Sequence, residues 1–296
     1  MSILIRLNLL TSRKFQITDT LLDDKKIIQA LLKINEKYFV NEFVMFFLLT
    51  SARKRFYIYF RTNNNMNYFS KIVFSKRDYD KMIKEKKIID SIKNLDISFS
   101  CAILDSQLIN KKFLINTYHL IQKKWTSVSS WSIDLENIWK ELTHIHSIGA
   151  EDAINYVWYD KLIKSNIIDI TDLGKVKTSF IHGDFVPWNI YHYYNKEYLL
   201  IDFEYAYNYG PILYDPIHFI LADYFYLRRK KINWSFLLEF AKTLYSNDDL
   251  QMQIISALIY EVNAPNCVNK KLVINILVDC VNYFSIENFH YNEVLI

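Results

Sequence analysis

Two short stretches of this 296-residue chain hold side chains whose types and spacing could do chemistry. The first runs Phe180-Ile181-His182-Gly183-Asp184-Phe185-Val186-Pro187-Trp188-Asn189. An apolar strand signal leads into His182-Gly183-Asp184, and an Asn follows five residues after the Asp. The second, Leu199-Leu200-Ile201-Asp202-Phe203-Glu204, is another apolar strand signal ending in acid. Strand ends facing a common cleft would bring Asp184, Asn189 and Asp202 together. That set suits phosphoryl transfer. One carboxylate orients an acceptor hydroxyl and takes its proton. A second carboxylate and an amide oxygen hold magnesium, a hard cation that prefers oxygen ligands. Little covalent chemistry is left to the protein, so positioning and electrostatics carry the catalysis.

The elements needed to position these residues follow from the pattern of apolar residues. Phe43–Leu49, Arg55–Phe60 and Tyr68–Phe74 read as strands, with Asn63-Asn64-Asn65 as a hairpin turn between the second and third. From Asp78 to Ile92 the spacing of Met82, Ile83, Ile88, Ile89 and Ile92 is helical. Ser98–Leu104 and Phe113–Ile121 read as two further strands. The expectation is an antiparallel sheet of about five strands with one helix after the third. The second half is mainly helical. Asp134 is the expected N-cap of a helix whose apolar face is Leu135, Ile138, Trp139, Leu142 and Ile145, ending near Gly149. Further helices are expected at 151–164, 212–229, 235–246, 249–261 and 270–285, with short strands at Ser179–Ile181 and Tyr198–Ile201.

His182-Gly183-Asp184-x-x-x-x-Asn189, followed by Ile201-Asp202-Phe203-Glu204, resembles the catalytic loop and metal-binding motif of the aminoglycoside phosphotransferase and choline kinase-like superfamily. These are relatives of protein kinases, with His-Gly-Asp in place of His-Arg-Asp. The longer form, with Gly210-Pro211 and Asp215-Pro216 downstream, is similar to phosphotransferases of surface-glycan gene clusters. The resemblance implies an α+β, bilobal protein-kinase-like fold. An N-terminal nucleotide-clamping lobe would span 1–118, and a C-terminal catalytic and substrate-binding helical lobe 119–296. It implies ATP and Mg2+ as cofactors and a small-molecule hydroxyl acceptor. It makes Asp184 the catalytic base and Asn189 and Asp202 the magnesium ligands. His182 would brace the loop, and Asp215 would lock it through backbone hydrogen bonds. It also requires an ATP-clamping lysine on the third strand and a glutamate partner on the helix after it. Lys71 and Glu85 fill these positions. One departure stands out: no glycine precedes Gly149, so the phosphate-covering turn would be Thr50-Ser51-Ala52-Arg53-Lys54. Compact residues there still let backbone N–H groups approach phosphate. The same departure motivates the alternative of a pseudokinase that binds a nucleotide or a partner without turnover.

Composition narrows the field. Apolar residues make up 51% and charged residues 23%, which excludes a disordered chain. A net charge of +4 is too small for a nucleic-acid binder, and none is expected as partner. The basic run Lys76, Arg77, Lys81, Lys84, Lys86 and Lys87 reads as a solvated helix face, with contact to an acidic substrate or peripheral contact with an anionic membrane surface as the minor alternatives. Three cysteines without CxxC spacing argue against a disulfide framework or a zinc site and for a cytoplasmic setting. No signal peptide or transmembrane helix is expected. His144, His146, His192 and His218 are assigned to packing, and Trp188 to a wedge beside Pro187. Glu204 is a further candidate for a metal or substrate group. Most of Tyr205, Tyr207, Tyr209, Tyr214, Tyr224 and Tyr226 are assigned to core and surface packing.

Overall fold

The computed structural model describes residues 25–50, 53–73, 76–101, 105–109, 113–120, 126–152, 159, 168–170, 175–192, 197–284 and 289–291. The chain divides into two compact units, Met1–Asn94 with Cys101–Lys124 and Leu95–Ser100 with Trp125–Ile296.

The first unit carries helix α1 (Lys25–Tyr38), strands β1 (Val40–Thr50), β2 (Arg53–Thr62) and β3 (Asn67–Val73), helix α2 (Lys76–Ile92), and strands β5 (Asp105–Ile109) and β6 (Phe113–Leu120). The strands form one sheet in the order β1-β2-β3-β6-β5. Every neighbouring pair is antiparallel. The asparagine turn lies between β2 and β3, where Asn65 is left-handed at φ 61°. One face of β3 packs Ile72 with Ile58 and Phe60 of β2 and with Ala30 and Ile34 of α1. Side chains alternate along a strand, so Val73 points the other way, and there it packs on Met82 of α2. On α2 the basic run is interleaved with the exposed Asp80 and Asp90, and Lys84 and Lys87 are exposed. Lys86 pairs with Asp90. The solvated-face reading fits these positions.

The second unit contains a three-stranded sheet in the order β13-β10-β8 (Tyr207–Pro211, Lys175–Ile181, Ser147–Asp152). A four-stranded sheet runs β4-β12-β11-β7 (Phe99–Cys101, Tyr198–Leu200, Ile190–His192, Thr126–Ser127). Strand β9 (Ile168–Ile170) pairs with β14 (Phe289–Tyr291). The helices are α3 (Ile133–Ile145), α4 (Tyr214–Ala222) continued by a π-helical segment (Asp223–Arg228), α5 (Trp234–Leu244), α6 (Leu250–Asn263) and α7 (Lys270–Tyr283). Phe180, Phe185, Phe203, Tyr214 and Phe219 are among the largest fully buried side chains. Among the described residues, no helix is long and apolar enough to cross a membrane.

Several expectations need correction. The strand expected at Ser98–Leu104 is not one element. Phe99–Cys101 joins the four-stranded sheet, whereas the hairpin partner of β6 is Asp105–Ile109; residues 102–104 lie outside the described residues. Helix α3 ends at Ile145 rather than near Gly149, because Ser147–Asp152 is drawn into a ladder with β10. The helix expected at 151–164 therefore begins on a strand, and most of its span lies outside the described residues. Ser132, not Asp134, caps α3: its extended backbone lets its oxygen accept from Leu135 N at 3.3 Å. Asp134 instead accepts a hydrogen bond from the Tyr198 hydroxyl at 3.0 Å. Of the turn proposed to cover phosphate, residues 51 and 52 are outside the described residues.

Candidate active site

In the first unit, the alternation that turns Val73 toward α2 turns Lys71 toward it as well. Met82 and Glu85 lie three positions apart on α2 and so share a face. Lys71 Nζ donates to Glu85 Oε2 at 3.5 Å, and the two side chains are 4% and 0% exposed. Strand and helix thus bring together the pair expected from the sequence.

In the second unit, β10 ends at Ile181 and releases the chain into the His182–Asn189 loop. Asp215, in the first turn of α4, clamps the start of that loop. Its two carboxylate oxygens accept from His182 N at 2.7 Å and Gly183 N at 3.0 Å. Burial pushes the Asp215 carboxyl up to about 6, against the pull of those two N–H groups. Gly183 has φ +80°, and a Cβ there would sit 2.3 Å from the carbonyl oxygen of Tyr205. Only glycine lets the loop come this close to the short 3-10 turn Phe203–Tyr205. His182 is fully buried, its ring 4.2 Å from that of Phe203, and its Nδ1 accepts from Asp184 N at 3.3 Å. Burial pushes this imidazole down to about 4, so it braces the loop as a neutral ring.

Asn189 closes the loop back on Asp184. Its side-chain nitrogen donates to Asp184 Oδ2 at 2.9 Å and to the Asp184 carbonyl at 3.0 Å. Both bonds use the nitrogen, which leaves the amide oxygen as the atom a cation would take. The next residues form the β11–β12 hairpin, with Ile190 opposite Leu200. Ile201 N donates to the Asn189 carbonyl at 3.0 Å, which extends the ladder by one step. Asn189 and Asp202 therefore flank the same end of one hairpin. Asp202 is held left-handed at φ 67°, ψ 56°, a region that aspartate enters more readily than most residues and that is often kept where function needs it. Glu204, the further metal candidate, is buried at 3% exposure in the adjoining turn.

Three side chains outside the sequence motif complete the site. His218 lies three residues past Asp215 on α4 and is 1% exposed. Its Nε2 lies 3.3 Å from Asp184 Oδ1, and its Nδ1 lies 2.7 Å from Oε2 of Glu261 on α6. Asn266, in the turn after α6, donates from Nδ2 to Asp184 Oδ1 at 2.8 Å and to the Gly183 carbonyl at 2.9 Å. Burial alone would raise the Asp184 carboxyl. The hydrogen bond and charge of His218, with the Asn266 amide, outweigh it and hold the group below its ordinary value. Burial would likewise lower His218, but Glu261 and Asp184 outweigh it and carry His218 up to about 10. The sequence assigned His218 to packing. It is buried, as a packing histidine would be, yet it is tied to the central carboxylate. The available signal was its i, i+3 spacing from Asp215, which puts both on one helix face.

Gly183→Ala is expected to destabilise the second unit by roughly 2–4 kcal/mol, from the left-handed backbone and the Tyr205 overlap together. A denaturation midpoint lowered without a change in slope would show it; an unaltered midpoint would mean that the loop accommodates a Cβ.

By sequence, no family model and no curated protein matches this chain. Solved structures do. A macrolide 2'-phosphotransferase type I superposes with a TM-score of 0.53 at 11% identity, covering 90% of this chain and 99% of that one. A mutant aminoglycoside 2'-phosphotransferase-IIIa in complex with GDP gives 0.50 at 12% identity, over 87% and 98%. Choline kinase LicA from Streptococcus pneumoniae gives 0.46 at 18% identity, over 88% and 98%. The chain shares its fold with the macrolide and aminoglycoside phosphotransferase structures, as the His182–Asn189 motif led us to expect.

Proposed function

We propose that this chain is an ATP- and magnesium-dependent kinase that phosphorylates a hydroxyl of a small polar molecule: a sugar, amino sugar, amino alcohol or glycan precursor. The observation that carries this reading is the reachable Asp184 carboxylate, 17% exposed, beside the hairpin end that holds Asn189 and Asp202. Superposition on small-molecule phosphotransferases supports it.

Asp184 orients the acceptor hydroxyl and takes its proton as the oxygen turns nucleophilic. The Asn189 amide oxygen and the Asp202 carboxylate are hard oxygen donors and fit Mg2+. Among the described residues, no group of three or more His, Cys, Asp or Glu could hold a metal. ATP would supply the phosphoryl group, and the magnesium held by Asn189 and Asp202 would offset charge on its phosphates. Lys71, fixed by Glu85, adds a positive charge for the nucleotide phosphates. His182 and Asp215 hold the loop. A cytoplasmic setting fits the ATP donor and the free thiols Cys101, Cys267 and Cys280.

The test is a panel of hydroxyl acceptors incubated with magnesium–ATP, with product mass as readout. A gain of one phosphate on an acceptor is expected. The glycine-free stretch before Gly149 favours a second reading, a pseudokinase. Thermal stabilisation by magnesium–ATP with no turnover on any acceptor would select that reading and overturn the first.

A further inference from the structure

The Asp184 carboxylate is the reachable end of a buried chain of polar groups that the sequence motif does not contain. Helix α4 contributes His218 one turn beyond Asp215, while α6 and the turn after it contribute Glu261 and Asn266. Glu261 uses both oxygens: Oε2 faces His218 Nδ1 at 2.7 Å, and Oε1 accepts from Val268 N at 2.8 Å. That second bond fastens the carboxylate to the turn that carries Asn266. On Asp184, Oδ1 takes both the Asn266 amide at 2.8 Å and the His218 contact at 3.3 Å. Oδ2 takes the Asn189 amide at 2.9 Å. A carboxylate oxygen has room for about two donors. Oδ1 is thus saturated, and Oδ2 keeps capacity for a further donor. Exposure follows the same order, from 0% at Glu261 through 1% at His218 to 17% at Asp184.

We propose that Glu261, His218 and Asn266 form a positioning relay that fixes the orientation and the negative charge of Asp184, so that Oδ2 is the oxygen offered to the acceptor proton. This rests on the reading of Asp184 as the base. A cation held behind a half-buried carboxylate lowers the cost of burying its charge, and the second carboxylate keeps the imidazole charged.

The other titratable groups that face the relay are His182 from the loop, Tyr214 and Asp215 from α4, Tyr226 from the π-helical segment, Tyr260 from α6 and Cys267 from the following turn. The three tyrosines and Cys267 are shifted upward, first by burial. They stay neutral near neutrality. Asp215, at about 6, and His182, at about 4, titrate on the acid side. His218 is the member of the cluster whose charge is lost on the alkaline side, near 10.

The experiment compares wild type, His218→Gln, Glu261→Gln and Asp184→Ala as full chains. One readout does not depend on activity: a histidine-detected NMR titration. His218 is expected to stay charged past pH 8 in wild type and to titrate at least about one pH unit lower in Glu261→Gln, because the nearer charge partner is gone. The second readout is magnesium–ATP hydrolysis, with water in the acceptor's place. Its kcat should fall by about tenfold in His218→Gln and by less in Glu261→Gln, with KM for ATP unchanged. If His218→Gln fails to fold, Glu261→Gln carries both readouts. A His218 that titrates at its ordinary value, or an unchanged kcat in the folded variants, overturns the relay and leaves Asp184 as base. Asp184→Ala retaining wild-type hydrolysis overturns the base itself, whatever the NMR shows.

Discussion

Asp184→Ala is expected to cut turnover by about 10²–10⁴-fold while leaving the fold and nucleotide binding largely intact. The carboxylate is where the loop's hydrogen bonds converge: Asn189 on one oxygen, Asn266 and His218 on the other. Its removal does not dismantle the loop. The backbone of residues 182–183 is held separately by Asp215, and the Asn189 amide keeps its bond to the carbonyl of residue 184. His218 keeps Glu261 as its nearer charged partner, so no buried cation is stranded. Asn is a poorer control than it looks. An amide at residue 184 that keeps its oxygen toward Asn266 must turn its nitrogen toward the Asn189 nitrogen, which sets donor against donor. Thermal unfolding and magnesium–ATP titration establish that the Ala variant is folded and binds. Product formation measured beside them decides the matter. Phosphorylation at the wild-type rate would remove Asp184 as the base.

What the sequence disclosed follows the range of the interactions involved. The His182–Asn189 loop is legible because most of its determinants are contiguous, and its one distant anchor, Asp215, sits beside a proline at a helix start. Lys71 and Glu85 were legible only through the resemblance, which asks for a lysine on the third strand and a glutamate on the next helix, since the region holds many lysines; Val73 packed on Met82 shows that strand and helix meet on that side. The apolar run from Ser98 misled because a short apolar stretch says nothing about which sheet will take it. Pairing with Tyr198–Leu200 is a long-range choice. At α3, Ser132 and Asp134 are both good capping types, and only the extended backbone at Ser132 settles the boundary. Glu261 and Asn266 were missed altogether. They approach Asp184 through the packing of α6 and its following turn, more than seventy positions along the chain, and no local pattern records that approach. His218 was seen and set aside, since a lone histidine on an apolar helix gives no sign of its partners.

Asp202→Ala is expected to remove the magnesium dependence of nucleotide binding, with a loss of about 100-fold or more in affinity for magnesium–ATP, on the order of 3 kcal/mol. The geometry gives the reason. Asn189 offers a neutral amide oxygen, and the Asp202 carboxylate at the same hairpin end would supply a full negative charge. A divalent ion left with one neutral protein ligand has little to offset the water it must shed. The left-handed backbone at residue 202 points in the same direction, since left-handed non-glycine residues cluster where a side chain has to be aimed. Alanine is no better suited to φ 67° than aspartate, so part of any stability change belongs to the backbone. Asp202→Asn separates the two contributions, because Asn tolerates the left-handed region and keeps an oxygen but not the charge. The variant pair should therefore lose affinity in the order Ala, then Asn, and the loss should vanish when calorimetry is repeated with ATP and excess chelator. Equal affinity in wild type and Asp202→Ala with magnesium present would detach this carboxylate from the nucleotide and leave the hairpin end without a role in catalysis.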